Sequence, residues 1–261
     1  MSLSSKRLYL LDMDGTIYLG NDLFDGTIDF LEKVKKNGGR YIFVTNNSSK
    51  SAEAYVQKLR KIGIEADVSD FLTSTDATII YLEKYCQGKR VYCVGTRSFI
   101  KQLSESGINV TEKANEAEVL VLSNDTELTF EKLFNASVLL TEGKVEYIAT
   151  NPDWVCPTSF GYVPDCGSFC EMLYRATGKR PKFIGKPEPE MLLLAMEKFG
   201  YTKEETLMVG DRLYTDIKSG VNAGVDTVFV LSGEGTLDDL RESDVKPTYT
   251  MKNLRELCDN I

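Results

Sequence analysis

The stretch "LYLLDMDGT", residues 8–16, begins with the apolar pattern of a buried strand and continues into charged residues. Four apolar residues, Leu8 to Leu11, are followed by two aspartates, Asp12 and Asp14, with Met13 between them. A carboxylate taken out of water at the tip of a strand is costly unless a positive group or hydrogen-bond donors pair with it. We therefore expect such a partner elsewhere in the chain.

Short apolar runs alternate with helical patterns along the rest of the sequence. The predicted strands are Tyr9–Leu11, Tyr41–Val44, Val91–Val94, Val119–Leu122, Val145–Ala149, Phe183–Ile184, Leu207–Val209 and Thr227–Leu231. The predicted helices are Ile28–Lys36, Ala52–Lys61, Phe99–Glu105, Phe130–Leu140, Glu190–Phe199 and Asp216–Ala223. This alternation is typical of an α/β fold with a Rossmann-like, largely parallel sheet.

The segment between Thr45 and Lys186 is far longer than one crossover connection requires. It contains strands and helices of its own, among them the helical pattern "SFCEMLYRATG" at residues 168–178. The sequence therefore predicts an α/β domain, residues 78–179, inserted into a catalytic core made of residues 1–77 and 180–261.

Composition excludes several classes of function. The 261 residues include 31 Lys and Arg against 39 Asp and Glu, and the net charge of −8 argues against a nucleic-acid partner. Histidine is absent, which excludes His-based catalytic triads and His-bound zinc. The six cysteines form no CxxC pair, and no apolar run reaches the length of a membrane span. We expect reduced thiols, a cytoplasmic location and no membrane partner.

Reactive side chains follow four of the predicted strands. The motifs are "DMDGT" after Leu11, "TNNS" after Val44, "GKPEP" after Ile184 and "GDRLYTD" after Val209. Ligands of open α/β sheets bind at the carboxyl ends of the strands, so these four segments are expected to meet in one crevice.

The residue types in these segments favour a phosphoryl group. Four carboxylates in one crevice would repel one another unless a cation such as Mg²⁺ lay among them. A lysine, a hydroxyl and an amide would complete the surroundings of a phosphate. The candidate residues are Asp12, Asp14, Asp211, Asp216, Lys186, Thr45 and Asn46.

Without histidine, the nucleophile is expected to be a carboxylate, which can attack phosphorus to give an aspartyl-phosphate. Asp12 is the candidate because it ends the strand. Asp14 would protonate the leaving oxygen and then activate water. Gly15 would let the backbone turn sharply next to the ligand.

The four motifs together resemble those of haloacid-dehalogenase-superfamily phosphatases. "YIATNPD" and "GKPEPEML" are more narrowly similar to the NagD-like, para-nitrophenyl-phosphatase group, which has a large α/β cap. The resemblance implies that Asp12 is the nucleophile, that Asp14 is the acid/base and that Thr45 and Lys186 hold the phosphate. Mg²⁺ would be bound by the carboxylates of Asp12 and Asp211 and by the backbone carbonyl of Asp14. Asp216 matches the last acid of the family and would contact the metal ligands without binding the metal itself.

The expected activity is a Mg²⁺-dependent phosphomonoesterase acting on a small phosphorylated metabolite. The cap would close over the core, exclude water and set substrate choice. Sugar phosphates, nucleoside monophosphates and phosphoglycolate-like acids all stay open as substrates. A phosphotransferase or phosphomutase, and a receiver-like phospho-acceptor module, are the alternatives. The resemblance also suggests a homodimer formed through the cap. "TNPD", residues 150–153, is either an ordinary turn or a cap loop that faces the site.

Overall fold

The computed structural model describes residues 3–48, 52–158 and 160–261. Its strands are β1 (Leu8–Leu11), β2 (Tyr18–Leu19), β3 (Asp22–Leu23), β4 (Arg40–Thr45), β5 (Phe71–Thr73), β6 (Val91–Val94), β7 (Val119–Leu122), β8 (Glu146–Ala149), β9 (Val155–Thr158), β10 (Gly161–Pro164), β11 (Lys182–Phe183), β12 (Thr206–Gly210), β13 (Asp226–Val230) and β14 (Tyr249–Met251).

The helices alternate with these strands for most of the chain. They are α1 (Thr27–Lys36), α2 (Ala52–Lys61), α3 (Ser74–Tyr85), α4 (Arg97–Glu105), α5 (Phe130–Glu142), α6 (Cys166–Thr177), α7 (Glu190–Phe199), α8 (Lys218–Ala223), α9 (Leu237–Glu242) and α10 (Leu254–Asn260). A π-helical turn, Leu213–Ile217, precedes α8. In the part of the chain that the structure describes, no helix combines the length and apolarity needed to cross a membrane.

The chain forms two compact units. The first, here called the core unit, comprises Met1–Thr45, Ser51–Leu72 and Lys186–Ile261. The second, here called the inserted unit, comprises Asn46–Lys50 and Thr73–Gly185. The inserted unit interrupts the core unit twice in the sequence.

The sheet of the core unit has the order β14-β13-β12-β1-β4-β5 over the described residues. Strand β1 is central and pairs in parallel with β4 on one side and β12 on the other. All four residues of β1 are buried, as expected for a strand covered on both faces. The sheet therefore brings the carboxyl ends of three buried strands to the same edge, where Asp12, Thr45 and Asp211 follow or end them.

Helix packing fixes the face on which each strand residue lies. Tyr9 and Leu11 belong to the same buried cluster as Phe30 and Val34 of α1. The rings of Tyr9 and Phe30 meet edge to face, with centroids 5.4 Å apart. This packing holds the face of β1 that carries Tyr9 and Leu11 against α1, and Asp12 follows where the strand ends.

The inserted unit has its own sheet, with the order β11-β8-β7-β6. The strand pairs β6–β7, β7–β8 and β8–β11 are all parallel. Leu120 and Leu122 of β7 pack with Leu139 and Leu140 of α5, and α6 adds Phe169 and Leu173 to the cluster. The β9–β10 hairpin is antiparallel.

The predicted α/β fold with a parallel, Rossmann-like sheet is confirmed. Helices Ala52–Lys61 and Glu190–Phe199 have the predicted bounds. The helix predicted at Asp216–Ala223 is instead a π-helical turn at Leu213–Ile217 followed by α8. In that turn the N–H groups of Asp216 and Ile217 both donate to the carbonyl of Arg212, at 3.0 and 3.1 Å. The extra residue in the turn shifts the start of the regular helix beyond Asp216.

Candidate active site

Three carboxylates of the core unit lie together at the carboxyl edge of its sheet. Asp12 follows β1, Asp211 follows β12, and Asp216 lies in the π-helical turn. One oxygen from each lies within 4.8 Å of the other two. Asp211 and Asp216 are buried and Asp12 is half-buried. The structure thus brings together three of the four carboxylates that the sequence predicts to meet.

Lys186 is the positive partner of this cluster. Its Nζ donates to Asp12 Oδ1 and to Asp216 Oδ1, both at 2.7 Å, and to the carbonyl of Val44 at 3.1 Å. Its side chain is only 3% exposed, so the ammonium group acts in a low-dielectric environment. A lysine buried in this way needs carboxylate partners, and here it has two.

Burial and mutual repulsion perturb the titration of the cluster. Burial, and then the neighbouring Asp216, raises the pKa of Asp12 to about 8. The same two causes raise the pKa of Asp211 to about 6. For Lys186, burial lowers the pKa, but the charges of Asp12 and Asp216 outweigh it and the net shift is upward. The lysine therefore stays protonated, and one positive charge does not fully compensate three carboxylates.

The excess of negative charge over the one ammonium group indicates that a divalent metal fits the site. Clustered carboxylate oxygens with raised pKa values are stabilised by a hard cation. The donor set consists of carboxylate oxygens, which are the ligands that Mg²⁺ and similar hard ions prefer. The residues present fit a divalent metal, in agreement with the sequence-based expectation of a metal site.

Asp211 sits in a space that two glycines leave open. A Cβ atom on Gly15 would lie 2.2 Å from Asp211 Oδ2, and one on Gly233 would lie 2.0 Å from the same oxygen. The N–H of Glu234 donates to that oxygen at 2.7 Å. Thr16 Oγ1 donates to Asp211 Oδ1 at 3.4 Å. These contacts fix the Asp211 carboxylate on three sides.

Asp14 differs from the other three carboxylates because its side chain is 63% exposed. Its backbone forms an isolated bridge with Tyr18, and the turn between them contains Gly15, with φ at +92°. Lys58 Nζ lies 3.9 Å from Asp14 Oδ2 and 3.7 Å from the centre of the Tyr18 ring. The turn thus leaves the Asp14 carboxylate outside the buried cluster and exposed to solvent.

Thr45 and Asn46 lie on either side of a boundary between the units. Thr45 ends β4 in the core unit and is half-buried. Asn46 is the first residue of the inserted unit and is buried, and its Nδ2 donates to Asp153 Oδ1 at 3.2 Å. The side chain of Asn46 is therefore held by the "TNPD" segment of its own unit.

Sequence reasoning missed the loop that follows β13. Its contribution is the N–H of Glu234 and the close approach of Gly233, both directed at Asp211. Arg212, also missed, forms an ion pair with Glu234 at 2.9 Å and donates its N–H to Asp216 Oδ2 at 3.1 Å. The signal was present as "SGEG", residues 232–235, directly after a predicted strand.

Comparison with known proteins adds independent evidence. Residues 9–109 match the family model for haloacid dehalogenase-like hydrolases, and residues 183–257 match a HAD-hydrolase-like model. An acid sugar phosphatase of Staphylococcus aureus is 38% identical over 250 residues, which is 96% of each chain. The chain belongs to the haloacid dehalogenase-like hydrolases.

Solved structures of this family share the whole fold. The 4-nitrophenylphosphatase of Thermotoga maritima is 41% identical, with a TM-score of 0.91 over 98% of each chain. NagD of Escherichia coli K-12 is 28% identical, with a TM-score of 0.88 over 98% of each chain. The predicted resemblance to NagD-like haloacid dehalogenase phosphatases is therefore confirmed. The protein is an enzyme, a phosphatase, which disfavours a receiver-like module.

Proposed function

We propose that this haloacid dehalogenase-like phosphatase hydrolyses small phosphate monoesters, sugar phosphates among them, through an aspartyl-phosphate on Asp12, with Mg²⁺ as its metal. The observation that carries the proposal is the Asp12 carboxylate at the tip of β1, held by Lys186 within a three-carboxylate cluster. The name of the Staphylococcus aureus relative supports a sugar phosphate as substrate.

Lys186 and Asp216 orient the nucleophile. The lysine fixes one oxygen of Asp12 at 2.7 Å, which leaves the second oxygen to attack phosphorus. Asp216 Oδ1 accepts a second hydrogen bond from the lysine, also at 2.7 Å. The other oxygen of Asp216 accepts a hydrogen bond from the backbone N–H of Arg212. In this proposal Asp216 positions the lysine and is not itself a metal ligand.

The reaction then has two steps. The free oxygen of Asp12 attacks phosphorus while the bond from phosphorus to the leaving oxygen breaks, and Asp14 gives that oxygen a proton. Water, deprotonated by Asp14, next attacks the phosphorus of the aspartyl-phosphate and releases inorganic phosphate and Asp12. The exposure of Asp14 supports this role, because its carboxyl can reach both solvent and a leaving group.

A divalent ion, when bound, would neutralise charge on the phosphoryl oxygens. Asp12, Asp211 and the backbone carbonyl of Asp14 would hold it. Thr45 and Lys186 would donate to the phosphate, and so would Asn46, which follows Thr45 in the chain. The inserted unit would serve as the cap that sets substrate choice, with 78–179 as its predicted extent. A homodimer and a cytoplasmic location stay predictions.

The decisive experiment compares Asp12→Asn and Asp14→Asn on an aryl and an alkyl phosphate. Asp12→Asn should have no turnover and take up no ³²P from labelled substrate, because the amide is not a nucleophile. Asp14→Asn should release about one nitrophenolate per active site from p-nitrophenyl phosphate and then turn over slowly. Its activity on a sugar phosphate should fall by about 10²- to 10⁴-fold, since an alkoxide needs a proton to leave.

Retention of the wild-type rate by Asp12→Asn would refute the covalent route. Equal losses on both esters by Asp14→Asn, with no burst and no labelled enzyme, would refute the acid/base role. Asp22→Asn is a matched control, since Asp22 is an exposed aspartate of the core unit outside the cluster. Transfer of the phosphoryl group to an added alcohol in preference to water would instead favour a phosphotransferase.

A further inference from the structure

The "TNPD" segment, Thr150 to Asp153, is a buried junction inside the inserted unit. Thr150 and Asn151 are both fully buried at 0% exposure. A solvent-facing Asn-Pro turn would leave these polar groups in water, where they would need no protein partner. Their burial indicates a structural connection, and their hydrogen bonds show what they connect.

Asn151 uses both ends of its side-chain amide. Its Oδ1 accepts the N–H of Asp153 at 3.0 Å, so its Nδ2 faces the other way. That Nδ2 donates to the carbonyl of Asn46 at 3.1 Å and to Thr150 Oγ1 at 3.3 Å. The intervening Pro152 restricts the backbone between Asn151 and Asp153.

Asn46 is thereby held at two points. Asn151 holds its backbone carbonyl, and Asp153 accepts a hydrogen bond from its side chain at 3.2 Å. Ser74 Oγ also donates to the carbonyl of Asn46, at 2.7 Å. Residue 46 is where the chain first enters the inserted unit, and Ser74 lies just after the second entry at Thr73.

The point where the chain leaves the inserted unit meets the same residues. The N–H of Gly185 donates to the carbonyl of Thr150 at 2.8 Å. A Cβ atom on Gly185 would lie 2.5 Å from Asn46 Oδ1, 2.7 Å from the Thr150 carbonyl oxygen and 3.0 Å from Asn151 Cβ. Glycine is therefore required for this contact. The entry and exit segments of the inserted unit thus converge on Asn151 and Thr150.

The two outer neighbours of this junction matter for the reaction. Thr45 precedes Asn46 in the chain, and Lys186 follows Gly185. In the proposed function, these two residues donate hydrogen bonds to the phosphate. We propose that Asn151 is a positioning residue that, through Asn46 and Gly185, sets the placement of Thr45 and Lys186 toward the phosphoryl group. This inference rests on the proposed phosphate-binding roles of those two residues.

Product inhibition by inorganic phosphate tests the proposal directly. Asn151→Asp removes the donor to Asn46 at constant size, and Asn151→Leu removes all hydrogen bonds without adding charge. Both variants should raise the inhibition constant of inorganic phosphate, at saturating Mg²⁺, by about tenfold or more. Their kcat/KM should fall by the same factor on p-nitrophenyl phosphate and on a sugar phosphate, because the phosphoryl group is common to both. Misplacement by about 1 Å can cost about 10²-fold.

Three further variants distinguish a change at the phosphate-binding residues from a general loss of stability. Thr45→Ala should weaken phosphate inhibition directly, and Ser74→Ala should give a smaller effect of the same kind as Asn151→Leu. Leu140→Ala is the control for lost stability, because it opens a buried apolar site in the same unit without touching the junction. It should lower Tm and leave the inhibition constant unchanged.

The outcomes are distinct. If the Asn151 variants lower Tm as Leu140→Ala does and keep the wild-type inhibition constant, the residue is merely structural and the inference fails. If they change the ratio of kcat/KM between the two esters, the segment acts on the leaving group, and the inference fails again. If Thr45→Ala itself leaves phosphate inhibition unchanged, the phosphate role assigned to Thr45 is wrong and the inference falls with it. Where the Asn151 variants do not fold, Ser74→Ala decides by the same readouts.

Discussion

The metal-free protein should lose stability as pH rises from about 4 to about 8, because its buried carboxylates hold protons more tightly when folded than when unfolded. Burial and the nearby Asp216 raise the pKa of Asp12 to about 8 and that of Asp211 to about 6. Between the ordinary pKa of aspartate and these values, the folded chain binds more protons than the unfolded chain. The free energy of unfolding therefore falls as pH increases through this window.

The size of the loss in the free energy of unfolding follows from the pKa shift of Asp12. For Asp12, the pKa moves from 3.8 to about 8. At about 1.4 kcal/mol per pH unit, this loss is on the order of 5 kcal/mol between the two limits. A divalent cation bound to the carboxylates competes with the protons, so saturating Mg²⁺ should remove most of the pH dependence.

Urea denaturation followed by far-UV circular dichroism measures this effect at pH 5 and pH 8, in EDTA and in Mg²⁺. The variant Asp12→Asn is the matched control, because it removes the titrating group at constant size. The chain contains no histidine, so no imidazole titrates in this window. Trp154, the single tryptophan of the sequence, belongs to the inserted unit, so far-UV circular dichroism and not tryptophan fluorescence is the readout for the core unit.

In EDTA the wild type should be several kcal/mol less stable at pH 8 than at pH 5, on the order of the loss derived from the pKa shift. Asp12→Asn should show a much smaller difference. An identical pH dependence for wild type and Asp12→Asn in EDTA would refute the reasoning. So would a wild type whose stability in EDTA increases toward pH 8.

Three other predictions concern the same site. Lys186→Met should destabilise the core unit by about 3–5 kcal/mol, measured by urea denaturation, since it leaves the buried carboxylate of Asp216 and the half-buried carboxylate of Asp12 without their shared cation; a loss below about 1 kcal/mol would contradict this pairing. Gly15→Ala should weaken metal binding, measured by calorimetric titration with Mg²⁺, because its Cβ would lie 2.2 Å from Asp211 Oδ2; an unchanged affinity would speak against Asp211 as a ligand. Activity lost in EDTA should return with Mg²⁺ and return less with Ca²⁺, whose longer bonds and larger coordination number loosen in-line geometry; full activity in excess EDTA would exclude a metal requirement.

The sequence predicts the architecture well where strands are apolar throughout and helices are amphipathic. Strands Val91–Val94 and Val119–Leu122 have the predicted bounds because every residue in them is buried. Helix α3, Ser74–Tyr85, was missed because its buried positions include Ser74, Thr75 and Thr78, which break the apolar period. Thr78 Oγ1 donates to the carbonyl of Ser74 at 2.7 Å, a partner that the residue pattern alone does not reveal.

The candidate site was predictable in its charged residues and less so in its backbone. Asp12, Asp211, Asp216 and Lys186 follow from motifs at strand ends, and the structure brings them together. The bond to Asp211 comes from the backbone N–H of Glu234, which every residue except proline carries, so residue types alone do not predict it. The exposure of Asp14 likewise depends on the turn at Gly15 and not on residue type.

The charge balance of the cluster explains why a lysine alone would not suffice for catalysis. When all three carboxylates are ionised, they and one ammonium group sum to a formal charge of 1 − 3 = −2. Lys186 is shared between Asp12 and Asp216 at 2.7 Å each, so its single positive charge cannot balance both the three carboxylates and a phosphate dianion that it also contacts. A divalent cation would bring the formal charge of the cluster to zero, and only then could an anionic ester approach without net repulsion. Substrate affinity itself, and not just the rate of phosphoryl transfer, should therefore depend on the metal.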